Sequence, residues 1–175
     1  MGNLITKNLE ALTRPCEVFD FQNPPMNPFE LLDELKTKSW EHNGLGLAAN
    51  QIGYPWRAFI MPASPQDIIV FNPRIVMPST EHVELEEGCL SWPGIVLKIS
   101  RPQHVRVRYA DVTGDIKTQM FTGMTARIFQ HETEHLDGGL FFSNVSRLVL
   151  ARALKKAEKL GHNYASLHLL KYAKA

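Results

Sequence analysis

The residues best suited to chemistry lie in His131-Glu132-Thr133-Glu134-His135. If the segment is helical, the two histidines at i and i+4 share one face about 6 Å apart along the axis, at roughly 1.5 Å per residue, so both imidazoles can reach one metal ion. This is the H-E-x-x-H arrangement, in which Glu132 does not bind the ion but accepts a proton from water activated there. Catalytic zinc-type sites use three protein ligands and keep one position open. Cys89, in Glu86-Glu87-Gly88-Cys89-Leu90-Ser91 ahead of a Pro93-Gly94 turn, is the candidate third ligand. Cys16 lacks such surroundings and reads as an ordinary buried thiol. A third segment, Gly44-Leu45-Gly46-Leu47-Ala48-Ala49-Asn50-Gln51, combines small residues that permit close backbone approach with a glutamine amide able to donate to an oxyanion.

These segments need elements to hold them. A helix is expected near 28–43: Asn27 can cap it, Pro28 suits its first position, Glu30 completes a capping-box spacing, and Gly44 can end it. Phe29, Leu32, Leu35 and Trp40 would be its apolar stripe. Short β-prone runs follow at 57–61, 68–71, 74–77, 95–99, 104–110 and 116–121, punctuated by Pro62, Pro65, Pro73, Pro78, Pro93 and Gly94. Val105, Val107 and Tyr109 alternate with His104, Arg106 and Arg108, and Thr113-Gly114-Asp115 offers a hairpin turn, so the middle third reads as antiparallel sheet. From Gly123 to about Gly138 the pattern predicts a largely buried helix, with Met124, Ile128, Phe129 and Leu136 apolar and a polar stripe of Arg127, Gln130, Glu134 and Asp137. A last helix is expected over about 145–160, ending at Gly161 with lysines near its C-terminal end. The order helix, strands, helix, helix argues for an α+β fold.

The 175 residues, 44% hydrophobic and 21% charged, fit one globular domain spanning 1–175 and exclude a disordered regulator. No run approaches the roughly 18 apolar residues of a membrane helix, and the first thirty residues lack the apolar centre of a secretory signal, so a soluble, cytoplasmic protein without a disulfide framework is expected. Met1-Gly2-Asn3-Leu4-Ile5-Thr6 formally fits the short N-myristoylation pattern. Net charge is +1, but from Ser146 onward seven Lys or Arg stand against one acid.

Together, Gly-Leu-Gly-Leu-Ala-Ala-Asn-Gln at 44–51, Glu-Gly-Cys-Leu-Ser at 87–91 and Gln-His-Glu-Thr-Glu-His-Leu-Asp-Gly at 130–138 resemble the peptide deformylase family in order and spacing. Arg101-Pro102 before Val105-Arg106-Val107-Arg108-Tyr109, and Gly139-Leu140-Phe141-Phe142, extend the resemblance over about residues 4–160, leaving the stretch beyond Gly161 unmatched. The resemblance implies antiparallel β-sheets around a central helix carrying H-E-x-x-H, with a C-terminal helix. It implies Cys89, His131 and His135 as ligands of one divalent metal, Glu132 as general base and acid, and Gln51 with the Leu90 backbone NH as oxyanion donors. The substrate backbone would pair near Leu45, Gly46 and Gly88, and the methionine side chain would lie near Leu85, Met124, Arg127 and Ile128. Fe(II) would be the native ion, with Zn(II) or Ni(II) replacing it on purification.

The implied substrates are N-formylmethionyl nascent peptides, with neither DNA nor membrane as partner. Arg147, Arg152, Lys155, Lys156, Lys159, Lys171 and Lys174 could attract ribosomal RNA phosphates. An H-E-x-x-H endopeptidase usually takes its third ligand from a downstream His or Glu, and no histidine lies between His135 and His162. A structural metal module has no use for a base or an oxyanion donor. One departure from the family is Thr133-Glu134, where a hydrophobic residue and Asp are usual; Glu134 is expected to pair with Arg101 or Arg127.

Overall fold

The computed structural model describes residues 8–63, 66–164 and 166–175. The myristoylation pattern and Pro65 lie outside these. A short helix α1, Leu9–Thr13, precedes α2, Pro28–Glu41. The start of α2 is as expected, the Asn27 side chain accepting from Phe29 N at 2.9 Å with Pro28 in the first turn. Its buried face is not. Leu31, Leu35 and Ser39 point inward at spacings of four, whereas Phe29 and Trp40 are 51% and 61% exposed. The apolar stripe read from the sequence is therefore wrong except at Leu35 and, partly, Leu32, because the neighbours of α2 select a face its own composition leaves ambiguous. Its exit also differs: Asn43 adopts the left-handed conformation (φ 53°) and Gly44 N donates to Ser39 O at 2.8 Å.

The strands are β1 (Leu47–Ala48), β2 (Ala58–Met61), β3 (Ile68–Pro78), β4 (His82–Glu87), β5 (Leu97–Pro102), β6 (His104–Ala110) and β7 (Ile116–Thr122). These strands pair antiparallel, in a five-stranded sheet of order β1-β2-β3-β6-β7 and a separate β4-β5 pair. The runs 68–71 and 74–77 fuse into β3 because Pro73 sits in a register shift between Phe71 and Arg74, where no ladder N–H is needed. β4, rich in Glu and half exposed, carries too little apolar alternation to be seen in sequence. The hairpin between β6 and β7 closes as expected, with Gly114 at φ 89° and Asp111 accepting from Thr113 N and Asp115 N.

Helix α3, Gly123–Leu136, lies across the sheets, its Ala126, Phe129 and Leu136 packing with Phe59, Val105, Val107 and Phe121. The helix is largely buried, as expected: of its polar stripe Arg127 and Gln130 are buried and Asp137 is exposed, while among its apolar members Phe129 and Leu136 are buried and Met124 is exposed. After α3 the chain turns at Gly138 (φ 75°), where a Cβ would come within 2.5 Å of Thr13 O. Helix α4, Arg147–Lys159, is capped by Ser146 and packs Leu150, Leu154 and Ala157 with Trp92, Ile95, Leu97, Phe141 and Phe142. A final short helix α5, Ser166–Leu169, returns the chain to this cluster through Leu169 and Ala173. The fold is thus α+β with antiparallel sheets around the H-E-x-x-H helix, and no described helix is long and apolar enough to cross a membrane.

Candidate active site and metal centre

Helical spacing puts His131 and His135 on one face of α3, and the loop leaving β4 brings Cys89 over them. One ligand atom from each of Cys89, His131 and His135 lies within 4.8 Å of the others, the one such group of three among the described residues. Cys89 Sγ is 3.1 Å from His135 Nε2. A soft thiolate and two imidazoles converging at this distance form a donor set that fits a divalent first-row ion.

The other side chains at the centre hold these three in place. Glu87, at the end of β4, lies 3.0 Å from His131 Nδ1, which turns Nε2 toward Cys89. Glu87 is in turn gripped by Arg101 from β5, through Nε at 2.7 Å and Nη2 at 2.9 Å, and by Arg127 Nη1 at 2.6 Å. Arg101 Nη2 also donates to Glu134 at 2.8 Å, so Glu134 pairs with Arg101, while Arg127 pairs with Glu87 and the backbone oxygens of Ile99 and Val83. Asn50 Nδ2 donates to His135 O at 2.8 Å, fixing the helix from the far side.

The network sets the electrostatics. Burial alone raises the Glu87 carboxyl, but hydrogen bonds from His131 and Arg101 outweigh it and hold the group at about 2. Burial pushes Glu132 up to about 7 against the opposing charges of His131 and Arg101. Burial likewise lowers His135 well below the ordinary histidine value.

A cavity of about 380 Å³ opens onto Cys89, His131 and Glu132, with His135 behind them against Cys89. Gln51, on a 3-10 turn after β1, accepts from Ala48 N and aims Nε2 into this region, 2.9 Å from Ser91 Oγ and 3.5 Å from Cys89 Sγ. Leu90, Gly46 and Gly88 line the cavity, with Leu45 at 61% exposure on its rim. Of the side chains expected around the methionine, Met124, Arg127 and Ile128 line it, but Leu85 does not: it stands on β4 opposite Ile99, 38% exposed, with its side chain outside the lining. Arg127 presents little charge to the cavity, being committed to Glu87.

Sequence reasoning missed Glu87, Asn50 and Ser91 as individual contributors. Each stood inside a recognised segment, but nothing in spacing separates Glu86 from Glu87; only burial and pairing do.

The family model for polypeptide deformylases matches residues 1–150. The peptide deformylase of Novosphingobium aromaticivorans is 34% identical over 176 residues, covering 87% of this chain and 91% of its own. Among solved structures, peptide deformylase from Plasmodium falciparum superimposes with a TM-score of 0.82 at 30% identity, over 95% of this chain and 98% of that one. The class I type b enzyme from Acinetobacter baumannii, bound to Met-Ala-Ser, gives a TM-score of 0.73 at 30% identity, over 79% of this chain and 94% of that one. With a matching profile over most of its length and relatives of the same size and fold, the chain belongs to the peptide deformylase family, hydrolases that remove the formyl group from polypeptide N-termini.

Proposed function

We propose that this chain is one catalytic domain in which Cys89, His131 and His135 hold a divalent ion, Glu132 moves the proton, and Gln51 with the Leu90 NH stabilises the oxyanion. The observation that carries the reading is that Cys89, His131, Glu132 and Gln51 all line one cavity, with His135 converging on Cys89 and His131 behind it. When bound, the ion supplies Lewis acidity that lowers the pKa of water from about 15.7 towards 7.

Glu132 takes a proton from the attacking water as its oxygen bonds to the formyl carbon. Gln51 Nε2 and the Leu90 NH donate to the oxygen that gains charge, a donor of this kind contributing on the order of a hundredfold or more in rate. Glu132 returns the proton to the amine nitrogen as the C–N bond breaks, leaving formate and a free N-terminal methionine. The methionine side chain is accommodated beside Met124 and Ile128, and the substrate backbone runs along Leu45, Gly46 and Gly88 at the rim. The Met-Ala-Ser complex of the Acinetobacter enzyme supports a peptide led by methionine as the occupant.

Fe(II) is the ion we assign as native: the thiolate and imidazole set suits zinc and also accepts Fe(II). The location that follows from nascent formylmethionyl substrates is the cytoplasm. The exposed Arg147, Arg152, Lys155, Lys156, Lys159, Lys171 and Lys174 supply a basic surface for weak association with ribosomal RNA. The test of function is formate release from a short formyl-methionyl peptide beside its acetylated counterpart; no release from the formylated peptide by metal-replete protein overturns the reading.

A further inference from the structure

Residues beyond 150 fall outside the family model, yet they pack against the wall of the cavity. The Trp92–Ile95 turn starts at Cys89, with Trp92 N donating to Cys89 O at 2.9 Å and Ile95 N to Trp92 O at 3.1 Å. Trp92, Gly94, Ile95 and Val96 line one side of the cavity. The outer side of that turn is covered by the chain leaving α4. Gly161 (φ 89°) reverses the chain so that His162 lies over Gly94, where a Cβ would come 2.5 Å from His162 Cδ2. Tyr164 donates its hydroxyl to Pro93 O at 2.6 Å and sets its ring against Trp92, centroids 5.8 Å apart. The segment is anchored at its far end: Lys174 N donates to Val145 O, Arg147 N donates to Lys174 O, and Leu169 and Ala173 are buried with Trp92 and Ile95.

We infer that His162 and Tyr164 are positioning residues for substrate binding: the C-terminal segment presses the Pro93–Gly94 turn inward and so sets the width of the cavity. The proposal rests on the deformylase reading for its substrate but concerns a segment that reading does not use. Gly94 is at φ 80°, so the turn has no side chain of its own there with which to fill the space, and His162 supplies the packing from outside. Pro93 O has its donor from residue 164, 71 positions away in sequence. The two backbone bonds within Cys89–Ile95 given above close the turn from inside, and the Tyr164 hydroxyl holds it from outside.

Point variants are the test, because full truncation removes the buried Leu169 and Ala173. Tyr164→Phe, which keeps the ring and loses one hydrogen bond, should raise KM about fivefold. Tyr164→Ala, which also loses the contact with Trp92, should raise it roughly tenfold or more. In both, kcat and metal content should stay at parental values and hydrogen exchange over 92–96 should quicken. Leu35→Ala, buried on α2 in a cluster that excludes Trp92 and Ile95, should lower the thermal midpoint and leave KM unchanged. The dissociation constant for Met-Ala-Ser should weaken in parallel with KM, a readout that does not need turnover, so failure of the intact protein to release formate would overturn the functional reading while the binding data still decide this one. Unchanged Met-Ala-Ser affinity and exchange in Tyr164→Ala overturn the inference, as does a KM that merely tracks stability across all three variants.

Discussion

The carboxylate of Glu132 occupies the space into which a side chain at Gly46 would grow: a Cβ there would lie 2.5 Å from Glu132 Oε1 and 2.9 Å from Ile128 Cγ2. Gly46 on the rim and Glu132 on α3, the proposed proton carrier, therefore form one contact, and position 46 tests it. Gly46→Ala should displace the carboxylate and lower kcat with metal content intact. Glu132→Gln should go further, reducing turnover at least about a hundredfold in a metal-replete protein, since proton transfer is lost while the ligands remain. Near-normal turnover in that variant would remove Glu132 from its assigned role.

Glu87 lies against His131, a proposed metal ligand, at 3.0 Å. Glu87→Gln should weaken metal affinity by about 10–100-fold, the usual effect of removing a carboxylate that orients a ligating histidine. Cys89→Ala, which removes a ligand outright, should lose metal more completely. Competition with a chelator measures both, and parental affinity in Cys89→Ala would strike it from the ligand set.

Arg101 joins Glu87 to Glu134, and both of its contacts are well removed from solvent. Arg101→Ala takes the cation from Glu134 and one of two arginines from buried Glu87, which keeps Arg127, and should cost on the order of 3 kcal/mol in unfolding free energy. Glu134→Ala, whose partner keeps Glu87, should cost clearly less. Equal losses by denaturant titration would mean that Glu134, the residue that departs from the family pattern, is as central as Glu87.

Cys16 gives a pH signature remote from the metal ligands. Burial pushes its thiol from 9.0 to about 11, with Arg57 opposing. Between those values the folded state holds a proton that the unfolded state has lost, so this contribution to stability is complete below 9.0 and disappears as pH rises through about 11. The thermal midpoint should fall over that interval, and the fall should be smaller in Cys16→Ala than in the parent.

Metal identity is read from rate and persistence together. Protein loaded anaerobically with Fe(II) should deformylate faster per bound ion than zinc-loaded protein, then lose activity in air as the iron and the Cys89 thiolate oxidise, while the zinc form persists. Equal rates with equal persistence would refute iron as the native ion.

The sequence by itself determined what depends on short-range geometry or on residue type. His131 and His135 must share a face once their segment is helical, Asn27-Pro28 must start a helix, and alternation over 104–110 must place Val105, Val107 and Tyr109 on one side of a strand. Tertiary structure decided which polar groups are buried and what they pair with. Glu87 and Glu86 are chemically identical neighbours, and only the pleat of β4 and the approach of Arg101, Arg127 and His131 give one of them a function. The inward face of α2, the burial of Arg127 and Gln130, and the path of Tyr164 back to Pro93 have the same origin. Each is fixed by partners dozens of residues away, whose desolvation and hydrogen bonding no local pattern encodes.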